Sequence, residues 1–298
     1  MRAPSRDDLC SHLVASRICG DVATARESNT ANARRCAAGE PAYTFGLQIE
    51  GWSYEAVVAL MAERAGIAPD PAYVSGPDTI DAELCMDALE RMRDRLALAA
   101  RRRERVVLAT GHPTGLLPVH VSVSLALQAA GCTVPDVAPG ALWVGADGRQ
   151  HHVRHIAGVA VSTNGVPLSG TELEHTHHPG GMHAMLAALE VAGEPVPDLV
   201  VADHGWAGAA GQAGLDVVAF ADCNDPALFV AEAEGRVRVT VPLDDNVLPH
   251  LYEPVTRYLL AGIAGVGASG AVDGAVGAAG AGQWAEQPAS WRANQLGS

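Results

Sequence analysis

Four short apolar runs, Val106–Ala109, Leu199–Ala202, Val217–Ala221 and Val237–Val241, punctuate a 298-residue chain beyond its first hundred residues. Each is followed, after a few polar or glycine residues, by a stretch with apolar positions at helical spacing: Leu116–Ala130, Ala207–Ala213, Pro226–Glu234 and Pro249–Leu260. Only the last run carries internal polar side chains, Arg238 and Thr240. Strands this apolar are buried on both faces, and their alternation with helices makes the sheet parallel. The pattern predicts an α/β fold: a Rossmann-like three-layer parallel sheet over residues 105–263.

The first half reads differently. "SYEAVVALMAERAG" places apolar residues at helical spacing after Ser53 and ends at Gly66, while "IDAELCMDALERMRDRLALAARR" continues the pattern with Asp78 or Thr79 as its cap. Residues 1–104 are therefore expected to form an N-terminal helical region. An inserted antiparallel β segment is expected near residues 141–178, where alternation ends at Asn164-Gly165, a hairpin signal. Residues 264–298 are rich in Gly and Ala and are expected to be a disordered, flexible tail.

Composition narrows the function classes. Hydrophobic residues make up 48% and aromatics only 4%, so the core is built from Ala, Val and Leu. No lysine occurs, which excludes a Schiff-base or Walker lysine, and the formal net charge of −14 argues against a nucleic-acid partner. The basic cluster Arg101, Arg102, Arg103 and Arg105 suits a solvated helix end. Six cysteines show no CxxC pair, so neither a disulfide framework nor a zinc knuckle is expected. The first residues lack an uninterrupted apolar stretch and no later run approaches a membrane span, so no membrane association and a cytoplasmic location are expected.

Open α/β sheets bind ligands beyond the carboxyl ends of their strands. Polar groups follow all four runs: Thr110, His112 and Thr114; Asp203, His204 and Gly205; Asp222, Asn224 and Asp225; Asp244, Asp245 and Asn246. Around the first, Gly111, His112, Thr114 and Gly115 precede a helix and can form a phosphate-binding turn; equally, the glycines can serve a tight βα turn. Asp203, Asp222 and Asn224 offer oxygens to a divalent metal such as Mg²⁺ or Mn²⁺. Asp225 before Pro226 reads as a helix cap, which would occupy it. "EHTHHPGGMH" gathers His175, His177, His178 and His183 in a loop suited to a metal or to proton transfer, whereas His151, His152 and His155 look like surface residues.

The combination "ATGHPTGLL", "HTH", "PDLVVADHGWAGAAGQAGLDVVAFADCNDPALFVAEAEG" and "VPLDDNV" resembles an actinobacterial phosphatase family, over about Leu9 to Leu260. The order of a helical part before a Rossmann-like metal site is also similar to the damage-control phosphatases, although their Asp-Asn-Ala-Gly-Glu pattern is absent. The resemblance implies a phosphatase.

Together these features predict a metal-dependent phosphatase hydrolysing the phosphoric monoester of a small phosphorylated metabolite. Gly111 to Gly115 would cradle the phosphate and Asp203, Asp222 and Asn224 would hold Mg²⁺ or Mn²⁺. His204 or His177 would move the proton, with Asp203 in the catalytic group. The alternative is a non-catalytic phosphosugar- or nucleotide-binding protein that uses the same rim without a metal.

Overall fold

A computed structural model describes residues 3–145, 148–164 and 172–268. The first elements are α1 (Arg6–Ala15), β1 (Gly20–Asp21), α2 (Arg26–Ala37), α3 (Pro41–Thr44), α4 (Tyr54–Ala65), β2 (Thr79–Ile80) and α5 (Ala82–Arg102). Ser53 caps α4 by accepting from the Ala56 N–H, and Gly66 ends it at φ 79°, as the sequence predicts. The cap of α5 differs from expectation. Asp81 accepts from the N–H groups of Glu83 and Leu84, whereas Asp78 is buried in an ion pair with Arg26. Sequence spacing could not distinguish two aspartates three residues apart when one has a buried partner far along the chain.

The strand-turn-helix series follows: β3 (Val106–Ala109), α6 (Pro113–Ala129), β4 (Leu142–Val144), β5 (Gln150–Ile156), β6 (Val159–Asn164), α7 (Gly180–Ala192), β7 (Leu199–Asp203), α8 (His204–Gln212), β8 (Val217–Ala221), α9 (Pro226–Ala233), β9 (Val239–Pro242) and α10 (Glu253–Ala268). The seven-stranded sheet runs β4-β5-β6-β3-β7-β8-β9. From β6 to β9 all neighbours are parallel, and β4 and β5 add an antiparallel flank. Helices α5, α6 and α10 pack together, as do α7, α8 and α9, giving a three-layer α/β fold. One contiguous apolar core extends from Leu9 through the strands to Ile263.

Two local expectations shift. The β5–β6 hairpin turns at Ala157-Gly158, both at positive φ (50° and 83°), as a tight two-residue turn requires. Gly165, the second half of the expected signal, lies outside the described residues. Helix α10 continues to Ala268, and the rest of the stretch expected to be disordered also lies outside them. Among the described residues, no helix is long and apolar enough to cross a membrane.

The chain begins the parallel sheet at β3, builds β6 on one side, then crosses back to β7 on the other. The switch point therefore falls between β3 and β7, where a crevice opens beyond the strand ends.

Candidate active site

Helix α8 starts directly at its strand end, at His204, and α6 starts at Pro113 after Thr110, Gly111 and His112; both begin three residues earlier than periodicity predicts. Thr114 and His204 thus occupy the first helical turns, His112 the N-cap of α6 and Asp203 the N-cap of α8. His204 takes φ 46°, left-handed backbone that a non-glycine residue adopts only when its surroundings impose it. The imposing contacts are visible. A Cβ on Gly205 would overlap the carbonyl oxygen of His177, and one on Gly111 would overlap that of Thr176. The Thr176 N–H donates to the Gly111 carbonyl at 2.8 Å, so the "EHTHH" loop lies directly across the ends of β3 and β7.

Asp203 is fully buried at the centre. It accepts from the Thr110 hydroxyl (2.6 Å), the Gly111 N–H (2.6 Å), His120 Nε2 (3.2 Å) and His204 Nδ1 (2.9 Å). Burial pushes its carboxyl up, but His120 and His204 hold it well below the usual carboxylate range. With Nδ1 bound to Asp203, His204 turns Nε2 toward Asp225 Oδ2 and Asp245 Oδ2, both at 3.4 Å. Burial opposes charge on this ring, yet Asp225 and Asp203 raise it well above the ordinary imidazole value.

Among the described residues, three groups of side chains bring ligand atoms within 4.8 Å of one another: His112, His175 and His204; His177, His204 and Asp225; Asp222, Asp244 and Asp245. They interlock, because His204 belongs to two and Asp245 lies beside both His204 and His112, whose Nδ1 is 3.3 Å from Asp245 Oδ1. His112 Nδ1 and Asp245 Oδ2 are buried without a hydrogen-bond partner. Orphaned polar atoms of this kind require an explanation. Donors each about 2.1 Å from one cation lie roughly 3.0–3.4 Å apart, which is the spacing around His204 Nε2.

Of the predicted metal group, Asp222 enters this constellation directly. Asp203 contacts it through His204, with both its oxygens already accepting hydrogen bonds. Asn224 donates from Nδ2 to Ser28 Oγ at 3.1 Å. The capping expectation for Asp225 is reversed: it stands at the N-cap of α9 without a side-chain cap bond and faces His204 instead. In the predicted phosphate turn, the Gly111 N–H donates to Asp203 and the His112 N–H to Thr110 Oγ1. Gly115 lacks a Cβ because the Asp245 carbonyl presses against it. Thr114 instead lines a cavity of about 420 Å³ with Ser16, Arg17, Asp244, Asn246 and Leu251.

The histidine-rich loop divides. His175 and His177 join the cluster, with their Nε2 atoms 3.1 Å apart. His178 stacks on Trp143 at 4.7 Å, and His183 is exposed on α7. His151, expected at the surface, is buried, also stacked on Trp143 and bonded to Glu174. Sequence reasoning gave no role to His120 or to Thr24, whose hydroxyl donates to Asp222 Oδ2 at 2.6 Å. The apolar neighbours of His120 in α6 gave no sign that its ring faces a strand end.

Residues 4–266 match the model of a family described as Phosphatase. Over 260 residues the chain is 49% identical to a Streptomyces coelicolor protein named a phosphatase, with 86% of this chain and 95% of that protein covered. The matched span includes all four strand ends and the loop laid across them, and the chain belongs to the Phosphatase family.

Proposed function

We propose that the chain is a divalent-metal-dependent phosphatase that releases inorganic phosphate from a small phosphorylated metabolite. The observation that carries the reading is the buried His204 Nε2, fixed by Asp203 from behind and facing Asp225 and Asp245 at the spacing of co-ligands. A histidine whose second nitrogen is held by a carboxylate is a common metal-ligand arrangement. His177, His204, Asp225 and Asp245 would hold the cation, with His112 and His175 beside them. Imidazole donors favour Mn²⁺ over Mg²⁺. The bound cation supplies positive charge to the phosphoryl oxygens and lowers the pKa of water.

The chain's own residues account for the remaining requirements. Asp203 positions His204 rather than binding the cation, because its oxygens are engaged by four donors. The phosphate seat moves from the Gly111–His112 amides to the first turn of α6 at Thr114, where the helix N-terminus favours an anion. Arg17 adds a cation to the same cavity, whose volume suits a small metabolite. Proton transfer falls to His175, on the open side of the cluster. His204 has both nitrogens committed and is not the proton carrier in this reading.

The test is phosphate release by chelator-stripped protein, assayed over a panel of phosphomonoesters with Mn²⁺, Mg²⁺ or neither. Activity restored by Mn²⁺ and reduced at least about a hundredfold in His204→Ala supports the proposal. Full activity after stripping, or full activity in His204→Ala, overturns it.

A further inference from the structure

The phosphatase reading requires one cation beside His204, but three carboxylates crowd the outer end of the cluster. Asp222, Asp244 and Asp245 are 5%, 2% and 4% exposed, yet offer oxygens within 4.8 Å of one another. Among the described residues, no arginine forms an ion pair with any of them. Like charges this close, shielded from water, are unstable unless protonated or joined by a cation.

Local hydrogen bonds hold two of these side chains. Asp222 accepts from Thr24 Oγ1 and the Cys223 N–H, while Asp244 accepts from the N–H groups of Ala23 and Asn246. Asp245 is different: its Oδ2 is buried with no hydrogen-bond partner, 3.4 Å from His204 Nε2, and the same carboxylate offers an oxygen to the group with Asp222 and Asp244. A carboxylate that borders both His204 and the acidic group, with one oxygen unpartnered, is placed to bind on both sides.

We propose that the site holds two divalent cations: one at His204, Asp225 and His177, the second among Asp222, Asp244 and Asp245, with the Asp245 carboxylate bridging them. The proposal rests on the phosphatase reading and extends it to a two-metal centre, in which ions about 3.5–4 Å apart clamp the attacking and leaving oxygens of a phosphoryl group. The donor sets differ: the first position mixes imidazole with carboxylate, whereas the second is all oxygen and takes Mg²⁺ or Mn²⁺. Mn²⁺ suits both. The N-terminal region contributes to the second position, because Thr24 and the Ala23 N–H orient two of its carboxylates.

The experiment is Mn²⁺ stoichiometry by equilibrium dialysis and elemental analysis of the full chain, with electron paramagnetic resonance of the loaded protein. Two Mn²⁺ per chain with an exchange-coupled spectrum are expected, falling to one Mn²⁺ with an uncoupled spectrum in Asp222→Asn and in Asp244→Asn. If Asp222→Asn fails to fold, Asp244→Asn and the wild-type spectrum still decide. One Mn²⁺ in the wild type, or two in both variants, overturns the second position and leaves the phosphatase reading intact. No Mn²⁺ at all overturns both.

Discussion

Replacing Asp203 by Asn changes one atom and reverses one hydrogen-bonding direction in a buried centre. Each oxygen of Asp203 accepts from two donors, Oδ1 from Gly111 N–H and His204 Nδ1, Oδ2 from Thr110 and His120. An amide nitrogen at Oδ1 would oppose a backbone N–H that cannot turn away. At Oδ2 it meets a hydroxyl that can rotate and His120, whose Nδ1 has no partner and can take the proton so that Nε2 accepts. The amide therefore settles with its nitrogen at Oδ2, costing the Thr110 bond and the charge on the acceptor of His204. One poorly satisfied buried group plus one weakened charge-assisted bond amounts to about 2–4 kcal/mol. At roughly 2–4 °C per kcal/mol for a domain near this size, Tm falls by about 5–15 °C. Because His204 loses its anionic support, Mn²⁺ affinity falls by about 10–100-fold. Calorimetric Mn²⁺ titration below the lowered Tm measures this, and activity should return in part at saturating Mn²⁺. A lowered Tm with unchanged Mn²⁺ affinity would refute the positioning role and leave Asp203 a purely structural residue.

Other perturbations separate packing from chemistry. Asp225→Ser keeps a capping residue but removes the carboxylate facing His204; Mn²⁺ affinity should drop at least tenfold, and wild-type affinity would show that Asp225 does not serve the cation. Gly111→Ala forces the Thr176 carbonyl away and displaces His175 and His177, so Mn²⁺ affinity and activity should both fall, and wild-type values in both would show that the loop does not depend on this contact. Asp78→Ala leaves the buried Arg26 guanidinium unpaired and should cost about 3–5 kcal/mol in denaturant unfolding, with kcat per folded molecule retained; a loss below 1 kcal/mol would mean that water reaches Arg26.

The parallel sheet was legible because β3, β7 and β8 are uninterrupted apolar runs followed by helical periodicity, and the rule for strand ends then located the crevice. Individual roles were less legible, since they depend on which way a side chain turns. Asp225 has the sequence context of a cap, and only its approach to His204 shows that the carboxylate is used elsewhere. Gly111 and Gly115 carry the pattern of an anion turn, but their missing side chains make room for Thr176 and Asp245. Asp203 reads as a ligand until its four donors are counted. Thr24 reaches Asp222 from 198 residues away, a distance at which no local pattern operates.

The central claim is that a cation sits at His204 Nε2. Anomalous diffraction from crystals grown with Mn²⁺, recorded on both sides of the manganese edge, tests it directly. The account predicts a peak about 2.0–2.3 Å from His204 Nε2 and from a carboxylate oxygen of Asp225 or Asp245. Manganese found only elsewhere on the chain, with His204 Nε2 hydrogen-bonded directly to Asp225 or Asp245, would contradict it.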